Sequence, residues 1–123
     1  MKALHIFQLD FATIQLYENY VISSIREGVT LTQQQLDIFF EIFNTYYNEK
    51  PFVSIANREN DYSLDPNLLK SKRHPSLLGI GVVCYNQRSR QTAQFEKNFY
   101  NGPFEIFDSL EDAINWSQTL LAE

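Results

Sequence analysis

The 123-residue sequence predicts a single α/β domain: a mixed β-sheet with an antiparallel N-terminal part and parallel central strands, accompanied by about four helices. Three observations predict it. Leu4 to Ile25 shows interrupted period-two patterning with turn residues between the apolar positions. From Gln33 onward, helical and strand signals alternate. Two short runs, Pro51 to Ala56 and Leu77 to Tyr85, are apolar on both faces, as strands buried in a parallel sheet are.

In the first stretch Ile6, Phe11, Ile14, Leu16, Tyr20 and Ile22 carry the pattern. Asp10 and Glu18-Asn19 are the turn points, giving two or three antiparallel strands that end at Glu27-Gly28. Thr30 and Thr32 each have a glutamine three residues on, the capping-box spacing, and Leu36, Phe39, Phe40, Phe43 and Tyr47 then recur at helical spacing. A helix over about Gln33 to Asn48 is expected. The strand Pro51 to Ala56 follows. Asp65-Pro66 places an N-cap before a proline at the first helical position, so a short helix over about Pro66 to Lys72 is expected.

His74-Pro75 stops that helix, and the second buried strand follows. Gly79 and Gly81 leave one of its faces without side chains, so a neighbouring element should pack closely there. A helix over about Arg88 to Tyr100 puts Thr92, Phe95 and Phe99 on one face, and Asn101-Gly102-Pro103 ends it. Phe104 to Phe107 is a short strand. Asp108 opens the last helix, with Leu110, Ala113, Ile114, Ser117 and Leu121 as its inward stripe. Pro51 to Ala56 and Leu78 to Cys84 should be adjacent parallel strands inside one sheet.

Composition limits the function classes. With 44% apolar residues, ten Phe and seven Tyr, the chain has material for a sizeable core. A net charge of −5, with no basic arm and no zinc-finger spacing, argues against nucleic acid as a partner. Cys84 is the only cysteine, so no intrachain disulfide forms and a reducing, cytoplasmic setting is expected. No continuous apolar N-terminal region and no stretch of membrane-spanning length is present. His5 and His74, the two histidines, lie far apart in sequence. No metal site, cofactor or catalytic residue is nominated, and the chain is expected not to be an enzyme. Gly79-Ile80-Gly81 lies inside a strand and is not a phosphate loop.

The element order, together with the tail PFEIFDSLEDAINW, resembles the SpoIIAA-like family, the STAS group of anti-sigma-factor antagonist folds. The resemblance covers nearly the whole chain and implies helices arranged as in that fold. In signalling members a serine or threonine at the start of the helix after the strand equivalent to Pro51 to Ala56 is phosphorylated, usually in an Asp-Ser-Ser-Gly-like setting. Here NRENDYSLDP stands instead, and only Ser63 falls near that position. The chain is thereby similar to the lipid-binding or stand-alone regulatory branch.

Charge is unevenly spread along the chain. Arg58 to Arg90 carries a balance of +3, from Arg58, Lys70, Lys72, Arg73, Arg88 and Arg90 against Glu59, Asp61 and Asp65, while the remainder carries −8. Arg58 and Arg88 each follow a central strand, at the sheet edge where open α/β folds meet ligands, and arginine there presents a fork suited to phosphate or carboxylate. Solvated surface charge is the alternative. Asn57, Asn60, Tyr62 and Ser63 form the polar loop beside Arg58, and turn chemistry accounts for the same residue types.

The expected function is a non-enzymatic regulatory or binding module that contacts a protein partner through the loops after the two central strands. The alternative is a binder of a small anionic or lipid-like ligand at the carboxyl edge. The broad apolar arc of Phe39-Phe40 and Tyr46-Tyr47, with an early edge strand, also fits a homodimer.

Overall fold

Strand signals in the first 25 residues resolve into three strands, β1 (His5–Gln8), β2 (Ala12–Leu16) and β3 (Tyr20–Ile25), joined by turns at Asp10 and at Glu18-Asn19. The computed structural model describes residues 3–70 and 74–123. Lys72 and Arg73, counted above among the basic residues, and the expected helix end at Lys72 lie outside the described residues.

The capping box forms at Thr32 and Gln35, and α1 runs Gln33–Tyr46. Beyond it come β5 (Phe52–Arg58), β7 (Leu77–Cys84), α2 (Gln87–Lys97), β8 (Phe104–Phe107) and α3 (Leu110–Ala122). Two two-residue strands, β4 (Thr30–Leu31) and β6 (Ser63–Leu64), pair in parallel as a separate ribbon that local patterning did not reveal. The expected helix after Asp65 is one turn of 3-10 helix, Pro66–Leu69, so the described residues hold three α-helices rather than about four. Asp65 caps that turn, its carboxylate accepting from the Asn67 N–H at 3.0 Å, and no apolar stripe follows to extend it.

The main sheet has the order β1-β2-β3-β5-β7-β8. Its first two pairings are antiparallel and the remainder parallel, with β1 and β8 at the edges. The central strands β5 and β7 are adjacent, parallel and interior, in the register Ile55↔Gly81 and Arg58↔Cys84.

Period-two alternation sorts the core onto two faces. Val21, Ile25 and Phe52 pack with Phe39, Phe43 and Tyr47 of the α1 region on one face. Val82, Cys84 and Phe104, on the same face, pack with Ala93 of α2. Tyr20, Ile22, Val53, Ile55 and Val83 point to the other face, which α3 covers. Gly79 and Gly81 allow this approach: a Cβ on Gly79 would lie 3.0 Å from the Pro103 carbonyl oxygen and from Leu120, and one on Gly81 would lie 3.3 Å from Trp116.

The inward face of α2 is Ser89, Ala93 and Glu96, while Phe95 is exposed and Thr92 lies outside with it. Small residues let the helix sit close to the sheet, and Glu96 is drawn in by a buried cation described below. In α1, part of the aromatic arc covers β1, with Tyr46 against His5 and Phe7 at ring separations of 4.5 and 5.6 Å. The α3 cap is Ser109 rather than Asp108, its hydroxyl accepting from the Asp112 N–H.

Candidate functional site

Arg58 is the last residue of β5, and alternation turns it to the face beneath α2. It is 4% exposed. A charge buried so deeply needs a partner, because desolvation penalises it by several kcal/mol. Glu96 is that partner: Nη1 and Nη2 of Arg58 donate to Oε1 and Oε2 at 2.8 and 2.9 Å. The Tyr62 ring lies over the guanidinium, 4.3 Å from it.

Burial alone would lower the pKa of Arg58, but the Glu96 hydrogen bonds and the charges of Tyr62 and Glu96 outweigh it, and the pKa is raised. Burial likewise pushes Tyr62 up to about 12, against the opposing pull of Arg58. The fork of Arg58, expected to suit a ligand's phosphate or carboxylate or else to be solvated, is instead closed by a carboxylate of the chain itself. The carboxylate comes from α2, while Glu59, the adjacent acid, accepts from the Ser24 hydroxyl at 2.6 Å.

The remaining candidate residues divide. Tyr62, Ser63 and Arg88 come together around an open polar hollow of about 320 Å3, which Glu27 and Asp61 also line. Arg88 is exposed there and faces a mixed-sign surface rather than a purely cationic one. Ser63 is exposed in β6, not at a helix start, with its N–H donating to the Val29 carbonyl at 3.0 Å. Asn57 and Asn60 serve local structure. Asn57 Oδ1 accepts from the Tyr85 hydroxyl at 2.6 Å, and Asn60 Nδ2 donates to the Ile25 carbonyl at 3.0 Å. Among the described residues no group of His, Cys, Asp and Glu is placed to hold a metal, and no helix is long and apolar enough to cross a membrane.

The feature that sequence reasoning missed is a cavity of about 140 Å3 between α1, α2 and the sheet. Phe39, Phe40 and Phe43 wall it from α1, and Leu64, Leu68 and Leu69 from the segment after β5. Ile80 and Val82 contribute from β7, and Glu96 and Tyr62 also line it. Ser23, Ser54 and Ala56, on the strands, complete the lining. Those small residues were the available signal. They stand on interior strands where Ile, Val or Phe would fill the space, yet each is only half-buried. An apolar cavity of roughly 150 Å3 is enough to admit benzene.

This arrangement defines a mixed α/β protein with a SpoIIAA-like fold. An uncharacterised protein of the DUF3478 family from Shewanella loihica PV-4, with a SpoIIAA-like fold, superposes with a TM-score of 0.57 over 92% of this chain and 90% of that one, at 15% sequence identity. Neither a protein-family model nor a curated protein matches the sequence.

Proposed function

We propose that the chain is a non-enzymatic binding module that holds a small, largely apolar ligand in the cavity between α1 and α2. The cavity itself carries this reading. The partly open space of about 140 Å3 presents apolar walls that a ligand of matching shape would cover, with the gain that removing apolar surface from water brings. The fork of Arg58 is occupied by Glu96, so an anion at the carboxyl edge has less to bind than the sequence suggested. Tyr62 lines both the cavity and the surface hollow that holds Ser63 and Arg88. Through that shared ring, occupancy of the cavity alters the surface presented to a protein partner, which makes the module regulatory.

Toluene tests the reading. Titration of the wild type should shift the NMR resonances of Phe39, Ile80 and Val82, and toluene at about 100 times its Kd should stabilise the fold by about 2.7 kcal/mol. Ala56→Leu, which sends a larger side chain into the cavity, should abolish both effects while the protein stays folded. A wild type that does not respond, or a variant that responds equally, sinks the proposal.

A further inference from the structure

Two hydroxyls stand in the otherwise apolar lining contributed by the strands. In the parallel pairing of β3 with β5, Ser54 lies opposite Val21 and Ser23 opposite Ala56, so the serines are diagonal neighbours on one face. Both line the cavity. Neither hydroxyl bonds to another protein group among the described residues, and both residues are only half-buried, so water reaches them when no ligand is bound. A ligand that displaces this water without replacing its hydrogen bonds leaves the hydroxyls unpaired, so a ligand carrying a polar group there is favoured over a purely hydrocarbon one.

The charges of the cavity are already closed. Glu96 is its one lining carboxylate among the described residues, and both oxygens are engaged by Arg58. An entering anion would bring an uncompensated charge beside Glu96, and an entering cation would have to draw Glu96 away from Arg58. Both incur desolvation that a neutral molecule avoids.

We infer that the ligand is a neutral molecule with a compact apolar body and one hydroxyl or carbonyl group directed at Ser23 and Ser54, of the class of small phenols and short branched or cyclic alcohols. The inference rests on the binding-module reading above and adds the polar group and the charge state. A cavity of this size accommodates an apolar body of roughly six or seven carbon atoms, judged by the benzene-sized precedent.

Four ring compounds of similar size separate the possibilities: toluene, phenol, benzoate and benzylammonium. Their dissociation constants are measured by NMR titration against the wild type, Ser23→Ala, Ser54→Ala and the double variant. The wild type should bind phenol and toluene and neither ion. In the double variant the affinity of phenol relative to toluene should fall by about fivefold, the size of one neutral hydrogen bond, with an intermediate fall in at least one single variant. Toluene binding reports that each variant is folded with the cavity intact, and the single variants decide the matter if the double variant does not fold. An unchanged phenol-to-toluene ratio overturns the inference and leaves the binding-module reading standing, as does benzoate or benzylammonium binding more tightly than phenol. Failure of all four compounds to bind the wild type overturns both.

Discussion

Arg58 and Glu96, 38 residues apart in sequence, meet in a two-pronged ion pair at 2.8 and 2.9 Å that joins the end of β5 to the inner face of α2. Both residues are at least nine-tenths buried. Removing one partner strands the other charge, so Glu96→Gln or Arg58→Met should destabilise by about 3–5 kcal/mol in urea unfolding. The double replacement Arg58→Met, Glu96→Leu should cost less than either single change, because no charge remains buried. Single variants within about 0.5 kcal/mol of the wild type would show that the pair is solvated in solution.

Cys84 sits opposite Arg58 in the β5–β7 register and is 3% exposed. A thiol reagent should label it slowly in the native protein and fast after unfolding, since access limits the reaction. Native labelling at the rate of a free thiol would contradict the interior placement of β7.

Stability should depend on pH through His74. Burial lowers its pKa below 6.5. Its Nδ1 accepts the Ser76 N–H at 3.1 Å, and Nε2 is buried without a partner among the described residues. The unfolded chain therefore takes up a proton first as the pH falls. The contribution of neutral His74 is complete above the unfolded value near 6.5 and is lost progressively as the pH falls from there through the lower folded value. Unfolding free energies of the wild type and His74→Gln, compared between about pH 5 and 7, should diverge in slope, with the wild type falling more steeply on acidification. Parallel slopes would assign the pH dependence elsewhere.

The strand glycines should not be equivalent. Alanine at position 79 meets a backbone carbonyl at 3.0 Å, whereas at position 81 the nearest atom belongs to the Trp116 ring at 3.3 Å. Gly79→Ala should therefore destabilise by about 1–3 kcal/mol, as overpacking does, and Gly81→Ala by less. The reverse order in thermal or urea unfolding would mean that α3 sits differently on the sheet.

Tyr47 ties α1 to the β2–β3 turn, its hydroxyl reaching the carbonyl oxygens of Tyr17 and Tyr20 at 2.7 and 2.8 Å while its ring stacks on Phe52. Tyr47→Phe keeps the stacking and removes the one phenolic hydrogen that the two carbonyls share. The Tyr20 carbonyl still accepts the Tyr17 N–H at 2.9 Å, so the loss falls mainly on the Tyr17 carbonyl and about 1–3 kcal/mol is expected in urea unfolding. An unchanged midpoint would show that water replaces the hydroxyl.

Sequence alone determined what depends on near neighbours. The Thr32–Gln35 box set the start of α1, Asp65 the cap before Pro66, and the doubly apolar runs the interior place of β5 and β7. Gly79 and Gly81 announced that some element packs closely there, and the structure shows it to be α3 together with Pro103. These signals act over a few residues, where backbone geometry leaves few choices. Tertiary structure decided the rest. Sequence placed Thr92, Phe95 and Phe99 on one face of the helix without saying which face turns inward. Glu96 and Ala93 do, because a buried guanidinium on another element requires a carboxylate and Ala93 is small enough to pack against the sheet. The ribbon of β4 and β6 is too short to carry a period, and the cavity belongs to no single element. It exists because Ser23, Ser54 and Ala56 on adjacent strands are smaller than the space left beneath α1 and α2, a volume mismatch that appears only when all three surfaces face one another.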